Sequence, residues 1–290
     1  MSLYFYNTAA KKKQLFKTIK EKNVHLYTCG PTVYDYSHIG NFRTFIIQDV
    51  LKKWLIFSGY KVKHVMNITD VDDKTIKRSI NEGISLKDLT TYYEQRFFED
   101  LGWLKIAKAD FYPRATDSIS KIVEMISTLI SKKYAYVEKD GSVYFKIKNF
   151  KKYGELSGLP INNSTKPNRV LSDEYDKGSP QDFALWKSYK KSDGITFWES
   201  PWGKGRPGWH IECSAMSIRF LGESFDIHCG GVDNIFPHHE NEIAQSEGFT
   251  GKKFVNFWLH SEHLMIDKAK MSKSSKNFYT IEYLKEYGFK

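Results

Sequence analysis

The sequence predicts an α/β fold in which a parallel sheet is split by an α+β insertion. A strand at 24–28, an amphipathic helix at 42–57 and a strand at 61–68 follow one another, which is the pattern of a βαβ unit with a right-handed crossover. The alternation of helix and strand resumes at Trp209, after a polar stretch from 149 to 208 that is rich in Gly, Pro and Ser. That stretch is therefore expected to lie in the insertion and not in the first sheet.

Further elements follow from local patterns. Helices are expected at 72–81, 85–101, 117–133, 209–221 and 237–245, and strands at 134–137, 143–147, 225–229 and 253–259. Ser85 is placed to cap the second of these helices, and Pro237 stands at the first position of the last, where a missing N–H costs little. The peptide Lys139-Asp140-Gly141-Ser142 predicts a hairpin between its two flanking strands.

These elements divide the chain into four expected segments. Residues 1–112 hold the first half of the sheet domain, and residues 113–205 form the connecting insertion. Residues 206–262 hold the second half with a candidate metal site, and residues 263–290 begin with a loop rich in Lys and Ser.

Composition restricts the class of protein. The 290 residues carry 44 Lys and Arg against 34 Asp and Glu, a formal charge of +10, which suits an acidic partner such as a nucleotide or nucleic acid. No apolar run approaches the ~20 residues that span a bilayer, and no signal peptide is apparent, so a cytoplasmic protein without membrane contact is expected. The phosphate-binding pattern G-x-x-x-x-G-K-[ST] is missing, which excludes a P-loop ATPase.

Two motifs are candidates for phosphate binding. Ser37-His38-Ile39-Gly40-Asn41 lies between the first strand and the first helix, at the carboxyl end of a strand, where open α/β sheets bind ligands. His38 could equally serve as a helix cap. Lys270-Met271-Ser272-Lys273-Ser274 places two lysines among small hydroxyl residues, which favours neutralisation of a leaving pyrophosphate but is also typical of a solvated basic loop.

A third group of residues has the donor types of a zinc site. The three cysteines, Cys29, Cys213 and Cys229, include no C-x-x-C pair, so a disulfide framework is not expected. Cys29 and Cys213, with His238 and Glu242 at i and i+4 of a helix, make a plausible tetrahedral set of ligands. Two alternatives remain open: His239 at i+3 from Glu242, and Cys229 in place of Cys213.

The two phosphate-binding motifs, in this order, resemble the HIGH and KMSKS signatures of the class I aminoacyl-tRNA synthetases, with Asn41 where HIGH ends in histidine. The segments 27–35, 67–73, 208–214 and 236–242 closely resemble the cysteinyl-tRNA synthetases, and the similarity runs through nearly the whole chain. The resemblance implies the Rossmann-like catalytic domain of class I synthetases, followed near residues 263–290 by the start of a stem-contact region.

The resemblance also implies roles for individual residues. One Zn²⁺ is expected on Cys29, Cys213, His238 and Glu242, binding the substrate thiolate, with Mg²⁺ accompanying ATP. The amino acid is expected beside Gly30, Thr32, Thr69 and Trp209. ATP is expected beside His38, Gly40, Asn41, Gly230, Gly231, Asp233, Lys270 and Lys273, of which His38, Asn41, Lys270 and Lys273 are the expected catalytic residues. Apart from the resemblance, His210, His228 and His239 are candidates for outer contacts that orient the zinc ligands, although a lone histidine is more often a core or surface residue.

The implied activity is that of a cysteine–tRNA ligase. A monomer is expected to activate L-cysteine with ATP and to transfer it to tRNA(Cys). Two alternatives remain open at this point: a ligase that joins activated cysteine to an amino sugar, and a non-catalytic zinc- and nucleotide-binding module.

Overall fold

The computed structural model describes residues 2–159, 169–170, 181–266, 269–271 and 278–289. Its helices are α1 (Ile39–Phe57), α2 (Asp73–Glu82), α3 (Leu86–Trp103), α4 (Ile119–Ser131), α5 (Trp209–Leu221), α6 (Glu240–Thr250) and α7 (Ile281–Glu286). Its strands are β1 (Tyr4–Asn7), β2 (Lys12–Leu15), β3 (Asn23–Thr28), β4 (Lys61–Met66), β5 (Ala135–Val137), β6 (Val143–Phe145), β7 (Arg169–Val170), β8 (Asp182–Ser188), β9 (Gly205–Pro207), β10 (Phe225–Gly231), β11 (Val255–Ser261), β12 (Met265–Ile266) and β13 (Ala269–Lys270).

A parallel sheet forms the centre of the molecule. Its strand order is β11-β10-β3-β4, and each neighbouring pair is parallel. The predicted βαβ unit is β3-α1-β4, and the helix predicted at 209–221 has those same bounds in α5. The α/β fold with a parallel sheet is therefore confirmed.

The segment between α3 and α5 carries a separate, mixed sheet. Its order is β5-β6-β8-β7, with β9 also paired to β8, and β5 and β6 form the predicted hairpin. β8 was not predicted, because it lies within the stretch of polar composition. Six of its seven residues are buried, because both of its edges are paired and its apolar side chains enter the largest core cluster.

An N-terminal hairpin of β1 and β2 was also missed. Phe5 and Phe16 pack against the sheet in one apolar cluster with Leu55 of α1. The Asn7 side chain accepts a hydrogen bond from the Trp258 backbone N–H at 3.0 Å, which ties the hairpin to β11. The hairpin therefore covers part of one sheet face.

One predicted boundary is wrong. The helix expected to begin at Pro237 begins regularly only at Glu240, because residues 235–239 form an irregular turn in which Phe236 is extended, with φ −133° and ψ 133°. The Phe236–Pro237 peptide bond is cis. Pro237 thus lies in the turn before the helix.

Among the described residues, no helix is long and apolar enough to span a membrane.

Candidate active site and metal-binding cluster

A cavity of about 800 Å³ opens at the carboxyl ends of the parallel strands. Loops after β3 and β4, the start of α5 and the turn after β10 line it, as expected for an open α/β sheet. Predicted site residues in its wall are Cys29, Gly30, Thr32, His38, Gly40, Asn41, Thr69, Trp209, Cys213, Gly231, Asp233 and His238. The structure thus brings predicted site residues from the first part of the chain (29–69) and from its later part (209–238) to one cavity.

Two predicted site residues are not among the lining residues, and two others cannot be placed by the described part of the chain. Gly230 and Glu242 are buried and are not part of the lining. Lys273 and the side chain of Lys270 lie outside the described residues. Met271 and Phe278, the described residues on either side of 272–277, both line the cavity.

His38 and Asn41 form a reciprocal cap at the start of α1. The Asn41 backbone N–H donates to His38 Nδ1 at 3.0 Å, and the His38 backbone N–H donates to Asn41 Oδ1 at 3.2 Å. Because His38 Nδ1 and Asn41 Oδ1 accept in the cap, Nε2 and Nδ2 are the donor atoms of these two side chains. His38 can therefore cap α1 through Nδ1 and also line the cavity, so the two roles predicted for it are compatible.

Two glycines of the site allow close approach of the backbone. A Cβ on Gly30 would lie 1.9 Å from the Asn67 carbonyl oxygen, and a Cβ on Gly40 would lie 2.9 Å from His38 Nδ1. A side chain at either position would displace the neighbouring wall of the cavity.

The metal-ligating residue types form two overlapping groups. Cys29, Cys213, His238 and Glu242 make one group, and Cys29, His228, His239 and Glu242 make the other, with the ligand atoms of each group within 4.8 Å of one another. The two predicted alternatives differ in this respect. His239 belongs to the second group, whereas Cys229 belongs to neither group among the described residues. Cys229 lies in the apolar cluster with Leu26 and Leu55, whereas Cys213 lies in the cluster with Tyr27.

Glu242 is the buried centre of these groups. Its Oε2 lies 2.9 Å from His228 Nε2 in a hydrogen bond. Its Oε1 lies 3.1 Å from His238 Nε2 but has no hydrogen-bond partner of adequate geometry among the described residues. A buried carboxylate oxygen without a well-aligned hydrogen bond is costly, and a cation at this position would satisfy it.

Burial and neighbouring groups shift the pKa values of Glu242, His238 and Cys213. Burial alone would raise the pKa of Glu242, but His228 and His238 outweigh it and lower that pKa to about 2. Burial alone would lower the pKa of His238, but Glu242 and Cys213 raise it to about 10. The hydrogen bond with Cys29, together with burial, raises the pKa of Cys213. A divalent cation bound here would displace the protons of His238 and Cys213, because metal ligands must be deprotonated.

Trp209 and Thr69 both line the cavity. The Trp209 ring centroid lies 4.4 Å from that of His238. Thr69 is held by its backbone carbonyl, which accepts from the Val33 N–H at 3.1 Å, and by its hydroxyl, which accepts from Asn67 Nδ2 at 3.1 Å.

Several lining residues were not predicted individually, among them Asn67, Lys74 and Asn234. Asn67 follows directly after β4, and its Oδ1 accepts from the Gly30 N–H at 3.0 Å. Its place at the carboxyl end of a predicted strand was a usable signal. Lys74 lies in the first turn of α2, and no local pattern distinguishes it from other helix-surface lysines.

Comparison with known proteins agrees with this geometry. The profile described as tRNA synthetases class I (C) catalytic domain matches residues 15–290. The chain is 57% identical over 280 residues to a protein of Chlamydia pneumoniae named cysteine–tRNA ligase, which covers 96% of this chain and 59% of that protein. It is 56% identical over 290 residues to the protein of that name from Chlamydia trachomatis serovar D, covering 61% of it. The chain thus spans about three fifths of the length of these relatives.

Solved structures show the same fold at low identity. Methionyl-tRNA synthetase of Mycobacterium tuberculosis bound to methionyl-adenylate matches with a TM-score of 0.70 at 14% identity, over 91% of this chain and 62% of that one. This match supports the fold of a class I synthetase catalytic domain. By sequence and by fold, the chain belongs to the family of class I (C) tRNA synthetase catalytic domains.

Proposed function

We propose that this chain activates L-cysteine with ATP to form cysteinyl-adenylate and transfers the cysteine to tRNA(Cys), as a cytoplasmic monomer. Relatives of similar sequence carry the name cysteine–tRNA ligase. The single observation that carries the proposal is one cavity whose wall includes Cys29, Cys213 and His38, so that a candidate metal-binding group with two cysteines lies in the same cavity as the start of α1.

Zn²⁺ fits the first group of ligands, Cys29, Cys213, His238 and Glu242. Two thiolates, an imidazole and a carboxylate are typical zinc donors, and Glu242 Oε1 is buried without a hydrogen-bond partner among the described residues. Cys29, Cys213 and His238 also line the cavity, whereas His228 and His239 lie behind it. When bound there, zinc would supply a soft Lewis acid that favours a thiolate over a hydroxyl ligand.

His228 and His239 then act on the ligands from outside. His228 donates to Glu242, and His239 lies 3.3 Å from Cys29 Sγ through Nε2 while its Nδ1 contacts His260 at 2.7 Å. Such contacts fix the orientation of ligands. His210 Nδ1 lies 2.9 Å from His238 Nδ1, so in this proposal His210 orients the His238 ring.

The amino acid and ATP occupy the remaining wall. Gly30, Thr32, Thr69 and Trp209 surround the amino acid in this proposal. Gly230 and Gly231 allow the nucleotide to approach β10, Asp233 accepts from the ribose, and Gly40 allows the phosphates to approach the start of α1, where His38 and Asn41 donate to them.

Catalysis in this proposal is positioning and charge stabilisation. The substrate carboxylate is already a nucleophile toward the α-phosphate, so the reaction needs no enzyme base. Lys270 and Lys273 are proposed to neutralise the leaving pyrophosphate, with Mg²⁺ accompanying ATP. The proposal also includes the division of the chain into segments 1–112, 113–205, 206–262 and 263–290. The separate sheet between α3 and α5 supports this division.

The test combines two measurements on the purified chain. Metal analysis should give one Zn²⁺ per chain, and exchange of labelled pyrophosphate into ATP should require cysteine and reject serine by ~10⁴-fold or more. A metal-free protein, or one that accepts serine equally, would contradict the proposal. Supplying tRNA(Cys) and an amino sugar as separate acceptors distinguishes the two ligases, and absence of exchange indicates a binding module.

A further inference from the structure

Three contacts between polar side chains connect Cys29, a proposed metal ligand, with the N-terminal hairpin. Cys29 Sγ lies 3.3 Å from His239 Nε2, and His239 Nδ1 lies 2.7 Å from His260 Nε2. His260 Nδ1 in turn lies 2.7 Å from the Thr8 hydroxyl. A residue that directly follows β1 is thereby linked, through a residue of β11 and one of the turn before α6, to a candidate metal ligand at the end of β3.

The hairpin is fastened where it meets His260. The Asn7 side chain, which is 4% exposed, donates to the Asn256 carbonyl at 2.9 Å and accepts from the Trp258 N–H at 3.0 Å. Both partners lie on β11, the strand that carries His260. The buried amide of Asn7 therefore fixes the position of its neighbour Thr8 relative to that histidine.

Donation along these contacts can run in two orders. His239 is fully buried and His260 is partly buried; burial disfavours the charged form of an imidazole, and a neutral ring has one donor and one acceptor nitrogen. In the first order, the Thr8 hydroxyl donates to His260, and His260 donates to His239. His239 then donates through Nε2 to the sulfur of Cys29. In the second order every donation is reversed, and the Cys29 thiol supplies the first proton.

A bound metal ion selects the first order. A cysteine that ligates a metal is a thiolate and has no proton to donate. A hydrogen bond to its sulfur then needs the His239 proton on Nε2, so His239 Nδ1 must accept from His260 Nε2. This leaves His260 Nδ1 as an acceptor, and the Thr8 hydroxyl is placed to donate to it. Outer contacts of this kind set the tautomer and the orientation of the groups around a metal.

We propose that Thr8 is a positioning residue for the metal site, because through His260 and His239 it holds a hydrogen-bond donor against the Cys29 sulfur. This inference rests on the proposed function, which places Zn²⁺ on Cys29. It extends the metal site to the N-terminal hairpin, which lies outside the parallel sheet.

The first measurement is zinc affinity, determined by competition with a chromophoric chelator. Thr8→Val keeps the size and branching of the side chain but removes the hydroxyl, and it should weaken zinc binding about tenfold, the lower end of the range for outer contacts. Thr8→Ser keeps the donor and should bind zinc as the wild type does. An equal loss in Thr8→Ser and Thr8→Val would show that the hydroxyl is not responsible and would overturn the inference.

A matched control addresses loosening of the hairpin. Gln14 Oε1 accepts a hydrogen bond from Asn7 Nδ2 at 2.8 Å, and Gln14→Ala removes this bond while it leaves Thr8 and the two histidines unchanged. This variant should keep wild-type zinc affinity. A loss as large as that of Thr8→Val would assign the effect to hairpin stability and would contradict a positioning role.

The second measurement is the absorption spectrum of the chain loaded with Co²⁺ in place of zinc. Loss of a hydrogen bond leaves more electron density on the thiolate sulfur, so the sulfur-to-cobalt charge-transfer band of Thr8→Val should move to longer wavelength. The bands of Thr8→Ser and Gln14→Ala should coincide with that of the wild type. An unshifted band in Thr8→Val would show that the hydroxyl does not influence the Cys29 sulfur.

A double-mutant cycle tests the route through His260. His260→Phe should itself weaken zinc binding, and Thr8→Val should add little in that background, because the ring that transmits its effect is gone. Effects that simply add would overturn the route. If the wild type holds no zinc, the proposed function fails, whereas a wild type with one zinc and a Thr8→Val variant of equal affinity would overturn this inference alone.

Discussion

Cys29 belongs to both groups of ligand atoms, so the other members decide where a metal ion lies. Cys213 and His238 share the cavity wall with Cys29, whereas His228 and His239 are fully buried. A metal that contacts a substrate needs an open coordination position facing the cavity. At the scale of single residues, Cys213 is therefore the thiol that discriminates between the two groups.

We expect Cys213→Ser to weaken zinc binding by more than 100-fold, because loss of a direct ligand should exceed the 10–100-fold effect of outer contacts. Cys229→Ala, which changes a buried cysteine in the other apolar cluster, should keep one zinc per chain. Metal analysis after gel filtration measures both. Full occupancy in Cys213→Ser, with loss in His239→Gln, would place the metal in the second group.

His64 should contribute to acid sensitivity. Burial, with a smaller effect from Lys52, lowers the pKa of His64 to about 3, and its Nε2 lies 2.9 Å from Thr28 Oγ1. Since the unfolded chain binds the proton near pH 6.5, the stability that neutral His64 provides is lost as pH falls from about 6.5 toward 3.

Urea unfolding of wild type and His64→Gln at pH 7 and pH 5 tests this. The wild type should lose about 2 kcal/mol more than the variant over this interval. Parallel pH dependence of the two proteins would show that His64 is not held neutral.

Lys273 lies outside the described residues, and its role remains a prediction from the motif. Lys273→Ala should lower kcat on the order of 10²-fold with a modest loss of ATP affinity, because it acts on charge that develops in the transition state. Pyrophosphate exchange as a function of ATP concentration separates the two effects. Lys276→Ala, in the same segment but outside the motif, is the control, and an equal kcat in both variants would refute the assignment.

At the scale of elements, α2 is joined by ion pairs to the mixed sheet that lies between α3 and α5. Its first residue, Asp73, is the shared acceptor for Lys187 of β8 and Arg206 of β9. Burial alone would raise the pKa of Asp73, but the two cations outweigh it and hold the pKa well below its usual range. A group of this kind stabilises the folded state above its unfolded pKa of about 4, and the contribution is lost as pH falls below that value.

Asp73→Asn should therefore destabilise the protein at pH 7 by about 1–2 kcal/mol, a value reduced for solvent screening because the carboxylate is 41% exposed. The difference from wild type should shrink at pH 3. Glu99→Gln, which removes an exposed partner of Arg96, should change the urea midpoint little. A pH-independent difference for Asp73→Asn would contradict an ionic origin.

At the scale of the whole molecule, the candidate metal-binding residues come from parts that are distant in sequence. Cys29 follows β3, Cys213 lies on α5, and Glu242 lies on α6. An ion that binds only the folded arrangement stabilises it by mass action, by about 4 kcal/mol at 1,000 times its dissociation constant.

Removal of zinc with a chelator should lower the Tm of the wild type by about 10 °C, given 2–4 °C per kcal/mol for domains larger than 150 residues. Differential scanning calorimetry with and without chelator measures the shift. The Tm of Cys213→Ser should respond much less to the chelator, and a response equal to that of the wild type would show that metal elsewhere is responsible.

The sequence alone determined the features that depend on neighbouring residues. The βαβ order, the Asp-Gly hairpin, the bounds of α5 and the cap of α3 by Ser85 all follow from periodicity, turn chemistry and capping, which act within a few residues. For the same reason the place of the motif at 37–41 could be predicted, since its position between a strand and a helix implies a place at the edge of the sheet.

Only the tertiary structure decided which distant groups meet. It placed Cys213 and Cys229 in different apolar clusters, joined Asp73 to Lys187 and Arg206, and buried β8 within a stretch of polar composition. The physical reason is that these outcomes depend on which face of a sheet or helix packs against which partner. Packing is set by burial of apolar surface across the whole chain, and no local pattern records it.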